Sequence, residues 1–411
     1  MDPSRAGVSI PFAARMDGIG DSRSQGLIAR VRALRAAGAD VIDFGQQGPP
    51  PRVAVEAARA ALDAPGSAFY SDTRGAPGLR RAIADKLAAE NGFAADPDSE
   101  IIVTVGAKEA LFATLLALVG PGDEVVLEDP GYLGFEPLIR LAGATPVPVA
   151  LRAAEGFRLP IDRLRAAITP RTRVLLLCTP HNPTGRVLSA EELDAVAALV
   201  RDAGIVAVMD EAYEHFVFDG RPHLSLAALP GMRARTVTVQ TISKVYNMAG
   251  WRIGWLAAPP DIAQRVVRIH THAATCPATM AQAGAEAAIR AGLGEGDLPF
   301  AEIAANYARQ RDAMVAGLRA IPGVSCALPE GGYFVFPDFS SFGLDSLAMS
   351  DHLLSAARVA ATPGIAFGAA GEGHARLVIK AGVDEIRRGV ARIATALAAI
   401  RSGDAQATRR S

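Results

Sequence analysis

The sequence predicts an α/β fold: a mostly parallel sheet covered by helices on both faces, followed by a smaller α+β portion. Three observations carry this reading. Seven short runs rich in valine, isoleucine and leucine recur between residues 101 and 257, separated by longer stretches with helical spacing. Most of these runs are apolar throughout rather than alternating, as strands buried on both faces are. After about residue 300 the order changes to one long helix and then three short strand-like runs with helices between and after them.

In chain order, Ile101–Val105 reads as a buried strand and Lys108–Val119 as the helix after it, closed by the turn Gly120-Pro-Gly-Asp123. Glu124–Leu127 is a second strand. Thr145–Val149 is a third, and its two prolines place it at a sheet edge, where a missing N–H is tolerated. Arg173–Cys178 follows. Ser189 with Glu192 three residues later forms a capping-box pattern that opens a helix to Ala203. Ile205–Met209, Thr236–Gln240 and Ile253–Ala257 complete the large sheet. A helix over about Phe300–Ala320 then precedes strands at Gly332–Phe336, Arg358–Ala361 and Arg376–Lys380. The expected division is an arm and part of the small domain over 1–50, a large α/β domain over 51–300, a small α+β domain over 301–400, and a loose polar tail over 401–411.

Composition narrows the function. Half of the 411 residues are apolar, and 42 basic residues oppose 43 acidic ones. That excludes a disordered chain and gives no basic excess for nucleic acid or an anionic membrane surface. No apolar run approaches the roughly 18 residues of a membrane helix. The start Met1-Asp-Pro-Ser-Arg5 lacks the pattern of a secretory signal, and Cys178, Cys276 and Cys326 make no disulfide framework. A cytoplasmic enzyme of the reducing compartment is expected.

Chemistry concentrates at strand ends, where open α/β sheets bind ligands. Gly106-Ala107-Lys108 leads a strand into a helix, so free backbone N–H groups can face an anion. Thr179-Pro-His-Asn-Pro-Thr-Gly185 is a stiff turn that presents Asn182. Asp210-Glu-Ala-Tyr213 puts a carboxylate at the end of a buried strand, which is costly unless it is paired or capped. Thr241-Ile-Ser-Lys244 and Gly250-Trp-Arg252-Ile-Gly254 bracket a loop with two cations that packing alone does not explain. An amine nucleophile, an acid, an amide, a phenol and a phosphate cup together suit pyridoxal 5'-phosphate.

With Tyr70, Tyr132 and Arg376 added in order, the chain resembles the class I/II aminotransferases of fold type I, the aspartate aminotransferase-like pyridoxal phosphate enzymes, from about Asp40 to Ile400. The resemblance implies a transaminase acting between an L-amino acid and a 2-oxo acid, with the same fold running lyases, β/γ-replacement enzymes and oxidases as the alternative. It implies Lys244 as the Schiff-base lysine and proton shuttle, and Asp210 as partner of the pyridine nitrogen. Asn182 and Tyr213 match the donors to the phenolate oxygen. Gly106, Ala107, Lys108, Thr241 and Arg252 match the phosphate site, and Tyr132 the aromatic stacked on the ring. Gly45 and Arg376 match the groups at the substrate α-carboxylate, beside Asn182. Tyr70 matches the tyrosine that reaches the neighbouring subunit's phosphate, which implies a homodimer with sites at its interface. A lysine at the place of Lys108 can reach a distal carboxylate in relatives. No metal is expected. Gln46 and Gln47 depart from the family's usual N-terminal pattern near the substrate entrance, and the segment with His270, His272 and Cys276 faces the partner's site in relatives.

Overall fold

The computed structural model describes residues 12–21, 23–45, 48–295 and 298–408; Gln46 and Gln47 lie outside them. The large sheet consists of β1 (Ile101–Thr104), β2 (Glu124–Asp129), β3 (Thr145–Ala150), β4 (Thr172–Cys178), β5 (Val206–Asp210), β6 (Thr236–Thr241) and β7 (Gly254–Ala257). Its seven strands lie in the order β1-β7-β6-β5-β4-β2-β3. The pairs from β3 across to β6 are parallel. β7 runs antiparallel to both of its neighbours.

The alternation of side chains across the sheet makes two cores. On β4, Val174, Leu176 and Cys178 pack on one face, while Leu175 and Leu177 pack on the other. Every residue of β1, β2, β6 and β7 is buried. β3 leaves Thr145, Pro148 and Ala150 exposed and sits at the edge, where its prolines are tolerated.

Helices α1 (Arg23–Ala36), α2 (Arg52–Asp63) and α3 (Pro77–Glu90) precede the sheet. Helices α4 (Ala107–Leu118), α5 (Phe135–Leu141), α6 (Ile161–Ala167) and α7 (Ala190–Ala203) link its strands, and α8 (Pro260–Ala273) and α9 (Thr279–Arg290) follow it. The expected capping box opens α7: Glu192 N–H donates to Ser189 Oγ, and the Glu192 carboxylate accepts from Ser189 N–H.

The C-terminal part holds α10 (Phe300–Arg319), β8 (Phe334–Val335), α11 (Ser346–His352), β9 (Thr362–Pro363), β10 (Ala375–Val378) and α12 (Val383–Thr408). Its three strands form an antiparallel sheet in the order β8-β10-β9. The N-terminal segment joins this part: Ile42 bridges Val359, and Lys380 N–H donates to Phe44 O.

Two expectations need correction here. The strand expected at Arg358–Ala361 ladders only at Thr362–Pro363, because Arg358 is left-handed (φ 54°) and ends the preceding helical turn. The tail expected to be loose over 401–411 is helical as far as Thr408. Polar composition misled there: Ala398 and Ser402 continue the turn, with Ser402 Oγ donating to Ala398 O.

Candidate active site

The site is built where β4, β5 and β6 end together. Strand registry sets it: Cys178 pairs with Asp210, and Asp210 with Val239, so the loops after the three strands leave at one level. After β4, His181 N–H donates to Arg186 O and Gly185 N–H to His181 O, closing the turn that carries Asn182. Gly185 is left-handed (φ +73°), and a Cβ there would come within 2.4 Å of Pro329 Cβ. That close approach lets the segment before β8 pack over the turn.

Asn182 links both sides of the site. Its Oδ1 accepts from Arg376 Nη1 at 2.9 Å, and its Nδ2 donates to the Tyr213 hydroxyl at 3.4 Å. Arg376, on β10, lies between Phe334 and Phe367, with its guanidinium carbon 4.5 and 4.8 Å from their ring centroids. Its buried Nε has no hydrogen-bond partner among the described residues. A planar fork held by aromatic faces with a donor left over suits a carboxylate.

Asp210 is 5% exposed at the end of β5. Burial raises its carboxyl to about 6, against the opposing pull of the Ala212 N–H and the Lys244 charge. Among the described residues only Oδ1 is engaged, by Ala212 N–H at 3.1 Å. Lys244 follows β6, with Nζ 5.4 Å from the Tyr213 ring centroid. Tyr213 is buried, and its phenol is raised well above the usual range by burial.

The residues expected to form a phosphate cup stand at the start of α4. Gly106 is the N-cap residue with φ 78°, and a Cβ there would come within 2.4 Å of Arg252 Nη2. Glycine therefore lets the guanidinium lie against the first helical turn. Arg252 is itself left-handed (φ 58°), and its two Nη atoms donate to Ala249 O and Val105 O. Thr241 Oγ1 donates within the loop, to Ser243 Oγ at 2.8 Å or Ile253 O at 2.8 Å. Lys108 is exposed in the same first turn, and its ammonium is lowered by partial burial and by the charges of Arg252 and Lys244. Lys108, Arg252 and Lys244 make no ion pair among the described residues. A cluster of cations without an anion, at a helix N-terminus, fits a phosphate dianion.

Lys108 and Tyr132 also line a cavity of about 510 Å³ closed partly by Gly18, Gly20 and Asp21 of the N-terminal arm. Burial, and then Asp210, push the Tyr132 phenol up to about 12. Gly45 N–H donates to Asp43 Oδ1 at 3.0 Å, near the arm's junction with β10. Tyr70 stands apart from these residues, 83% exposed. In the segment expected to face a partner, His270 is fully buried within this chain, with Nδ1 2.7 Å from Glu109 Oε1, whereas His272 is exposed.

Sequence reasoning missed Glu128, Tyr333 and Lys380, and read His181 only as a turn residue. Glu128 and His181 are fully buried beside the site with Oε2 and Nε2 3.6 Å apart. Burial raises the carboxyl to about 7 and lowers the imidazole to about 3, so at neutral pH the imidazole is uncharged and no ionic bond forms. Tyr333 and Lys380, at the ends of strands of the small sheet, lie together near the site, with Lys380 Nζ 5.0 Å from the Tyr333 ring centroid, and the Lys244 charge acts on both. No motif marked them: Tyr333 reads as part of a strand and Lys380 as its polar end.

A buried acid, an amine near it, an amide and phenol pair, and a cluster of unneutralised cations at a helix N-terminus are all present. Together with the fold, these groups define a pyridoxal phosphate enzyme. The family model "Aminotransferase class I and II" matches residues 38–393. An aspartate aminotransferase of Musicola paradisiaca is 38% identical, over 87% of this chain and 89% of its own. An aromatic-amino-acid aminotransferase of Thermococcus litoralis is 37% identical, over 78% of this chain and 82% of its own. The solved aspartate aminotransferase of Thermus thermophilus with maleate superimposes with a TM-score of 0.87 at 33% identity, over 94% of this chain and 100% of that one. The chain belongs to the class I and II aminotransferases, and it is a pyridoxal phosphate-dependent transaminase acting on amino and 2-oxo acids.

Proposed function

We propose that the chain moves the amino group of an acidic L-amino acid to a 2-oxo acid, with Lys244 holding the cofactor as a Schiff base. The observation that carries this is the convergence of Lys244, Asp210, Asn182, Tyr213 and Arg376 at the ends of β4 to β6 and on β10. Pyridoxal phosphate supplies an aldehyde and an electron-accepting ring. The protein's residues do the rest. Asp210, costly to ionise in its buried place, becomes favourable beside a protonated ring nitrogen. Asn182 and Tyr213 donate to the ring's phenolate oxygen. Gly106, Ala107, Lys108, Thr241 and Arg252 hold the phosphate, and Tyr132 covers the ring. Arg376, with Asn182 and the Gly45 backbone, binds the substrate α-carboxylate, and the Lys244 amine takes and returns the Cα proton.

The acidic preference rests on Lys108, which lines the cavity and makes no ion pair among the described residues. The Thermus relative was solved with maleate, a dicarboxylate. We also read the chain as a cytoplasmic homodimer in which the exposed Tyr70 completes the partner's phosphate site. The three free cysteines fit a reducing compartment. Residues 51–300 carry the cofactor, and residues 301–400 with the arm clamp the substrate.

A half-reaction screen tests the reading. Loaded protein mixed with single amino acids should yield pyridoxamine phosphate and the matching 2-oxo acid, fastest with glutamate or aspartate. Release of ammonia or peroxide with the cofactor unconverted would point instead to lyase, replacement or oxidase chemistry. For the dimer, subunit hybrids of Tyr70→Phe and Lys244→Ala should regain activity, because one of the two sites then carries neither defect.

A further inference from the structure

Asp129 closes β2 and ties the large sheet to the C-terminal part of the chain. It is 8% exposed. Its Oδ1 accepts from Ala370 N–H at 3.1 Å. Two residues on, Gly131 N–H donates to Phe367 O at 2.7 Å. Gly368 stands between these two attachments with φ +126°, and a Cβ there would come within 2.0 Å of Asp129 Oδ1. Only glycine lets the loop come this close to the carboxylate. Burial raises the Asp129 carboxyl, and the Ala370 N–H opposes that rise.

The loop that Asp129 holds is folded tightly on itself. A Cβ on Gly364 would come within 1.8 Å of Gly371 O, so the two ends of the loop touch through their backbones. Gly364 N–H donates to His374 O at 2.8 Å, and His374 N–H to Gly371 O at 3.2 Å. Residues 364–371 therefore hang as one unit just before β10, the strand of Arg376. That unit carries Phe367, which is 4% exposed, with its ring centroid 4.8 Å from the Arg376 guanidinium carbon. The ring on the opposite side, Phe334, belongs to β8. Asp129 is thus joined to the Arg376 fork through a short loop and one aromatic ring.

We propose that Asp129 is a positioning residue for the substrate carboxylate: by holding Ala370 it keeps Phe367 against Arg376 and so fixes the plane of the guanidinium fork. The loop has two attachments to the end of β2. With Ala370 released, the bond to Phe367 O is left, and the loop can turn about it. The Phe367 ring then moves off the fork, which loses one of the two faces that orient it. A guanidinium takes a carboxylate through two parallel hydrogen bonds, so a tilt of its plane weakens both together. Asp129 also lines the cavity with Lys108 and Tyr132. A carboxylate acting there directly would distinguish one substrate side chain from another. A group acting through Arg376 affects every α-amino acid alike.

The proposal rests on the transaminase reading, but its first test is binding without turnover. In loaded protein, Asp129→Ala should weaken maleate binding about tenfold by calorimetry. Asp129→Asn keeps an oxygen for the Ala370 N–H and should stay within about threefold of wild type. In a Phe367→Ala background, Asp129→Ala should add less than about twofold. A lowered melting temperature with unmoved maleate binding would mean a purely structural Asp129 and would overturn the proposal. So would losses that simply add in the double variant. Gly368→Ala displaces the same contact from the loop side and should weaken maleate to a similar degree. Wild-type protein gives an independent reading: hydrogen exchange over residues 364–371 should slow when maleate binds, and unchanged exchange would overturn the link.

In single-turnover half-reactions, Asp129→Ala should raise the half-saturating concentrations of glutamate and alanine by the same factor, and change the limiting rate by less than about threefold. A loss confined to one of the two amino acids would mean direct contact with the substrate side chain, and would overturn the positioning role. If wild-type protein binds maleate but forms no pyridoxamine phosphate from any amino acid, the transaminase reading fails, while the maleate series still decides the role of Asp129.

Discussion

Asp210 and Glu211 are neighbours at the end of β5, yet they lead into two opposite kinds of site. Glu211 enters a network of side-chain donors through one of its oxygens. Its Oε2 accepts from Ser225 at 2.7 Å, Gln240 at 3.2 Å and Asn91 at 3.3 Å, and His223 Nε2 lies 3.2 Å away. Beside it Glu214 pairs with Lys86 at 2.7 Å and accepts from Asn91 and Gln240, both at 2.8 Å. Burial would raise Glu214, but Lys86, His215 and His223 hold it down at about 2. Asp210, by contrast, has one backbone donor and is pushed up. Lys108, Arg252 and Arg376 likewise keep donors to spare. One region pairs Glu214 with Lys86 and gives Glu211 Oε2 several donors, leaving only Glu211 Oε1 and His223 Nδ1 unpartnered among its described atoms; the other leaves a cluster of cations without an anion, in the form a ligand would complete.

Substitutions in the two regions should therefore differ in kind. The largest effect belongs to Lys244→Ala, which should cut turnover by roughly 10⁴-fold or more while the protein stays folded. Steady-state kinetics with circular dichroism check both parts. Asp210→Asn should cost roughly a thousandfold in the proton-abstraction step, with a modest loss of cofactor affinity. A variant near wild-type rate would break the contrast at its centre.

Asp210 also gives a pH signature. Its carboxyl is raised to about 6 from 3.8, so the folded chain holds the extra proton between those values. The stability it contributes is fully present below about 3.8 and is lost as pH rises through about 6. Cofactor-free wild type should lose roughly 3 kcal/mol relative to Asp210→Asn across that window. Thermal melts of the two proteins over pH measure the difference.

On the other side, Lys86→Met should leave Glu214 uncompensated and cost about 3–5 kcal/mol of stability. Turnover at low temperature should barely change. Denaturant unfolding and kinetics together would show it. The smallest effect is Lys108→Ala, which should raise KM for glutamate about tenfold and leave an apolar amino acid nearly unaffected. Equal changes for both would return Lys108 to the phosphate alone.

Much of this contrast was legible in the sequence, but unevenly. Apolar runs located the strands of the large sheet, the prolines of Thr145–Val149 set the edge, and Ser189 with Glu192 opened α7. Asp210 and Lys244 stood out because charged residues at the ends of buried strands demand a reason. Direction did not show: β7 reads like its parallel neighbours, and only its pairing makes it antiparallel. Glu211 could not be separated from Asp210, since side-chain alternation at a strand end depends on where the ladder stops. Tyr333 and Lys380 lay hidden because they come near the site only through the small sheet folding over the large one. Nothing local marks a contact between residues so far apart in the chain.

The central claim is that the unsatisfied charges at the strand ends are a cofactor cup closed by one particular amine. Three lysines, Lys108, Lys244 and Lys380, reach the same site, and only Lys244 lies beside both Asp210 and Tyr213. Borohydride reduction of the loaded protein, followed by peptide mass mapping, reads out which amine holds the cofactor. The account predicts the reduced cofactor on Lys244 and no other residue; finding it on Lys108 or Lys380 would contradict it.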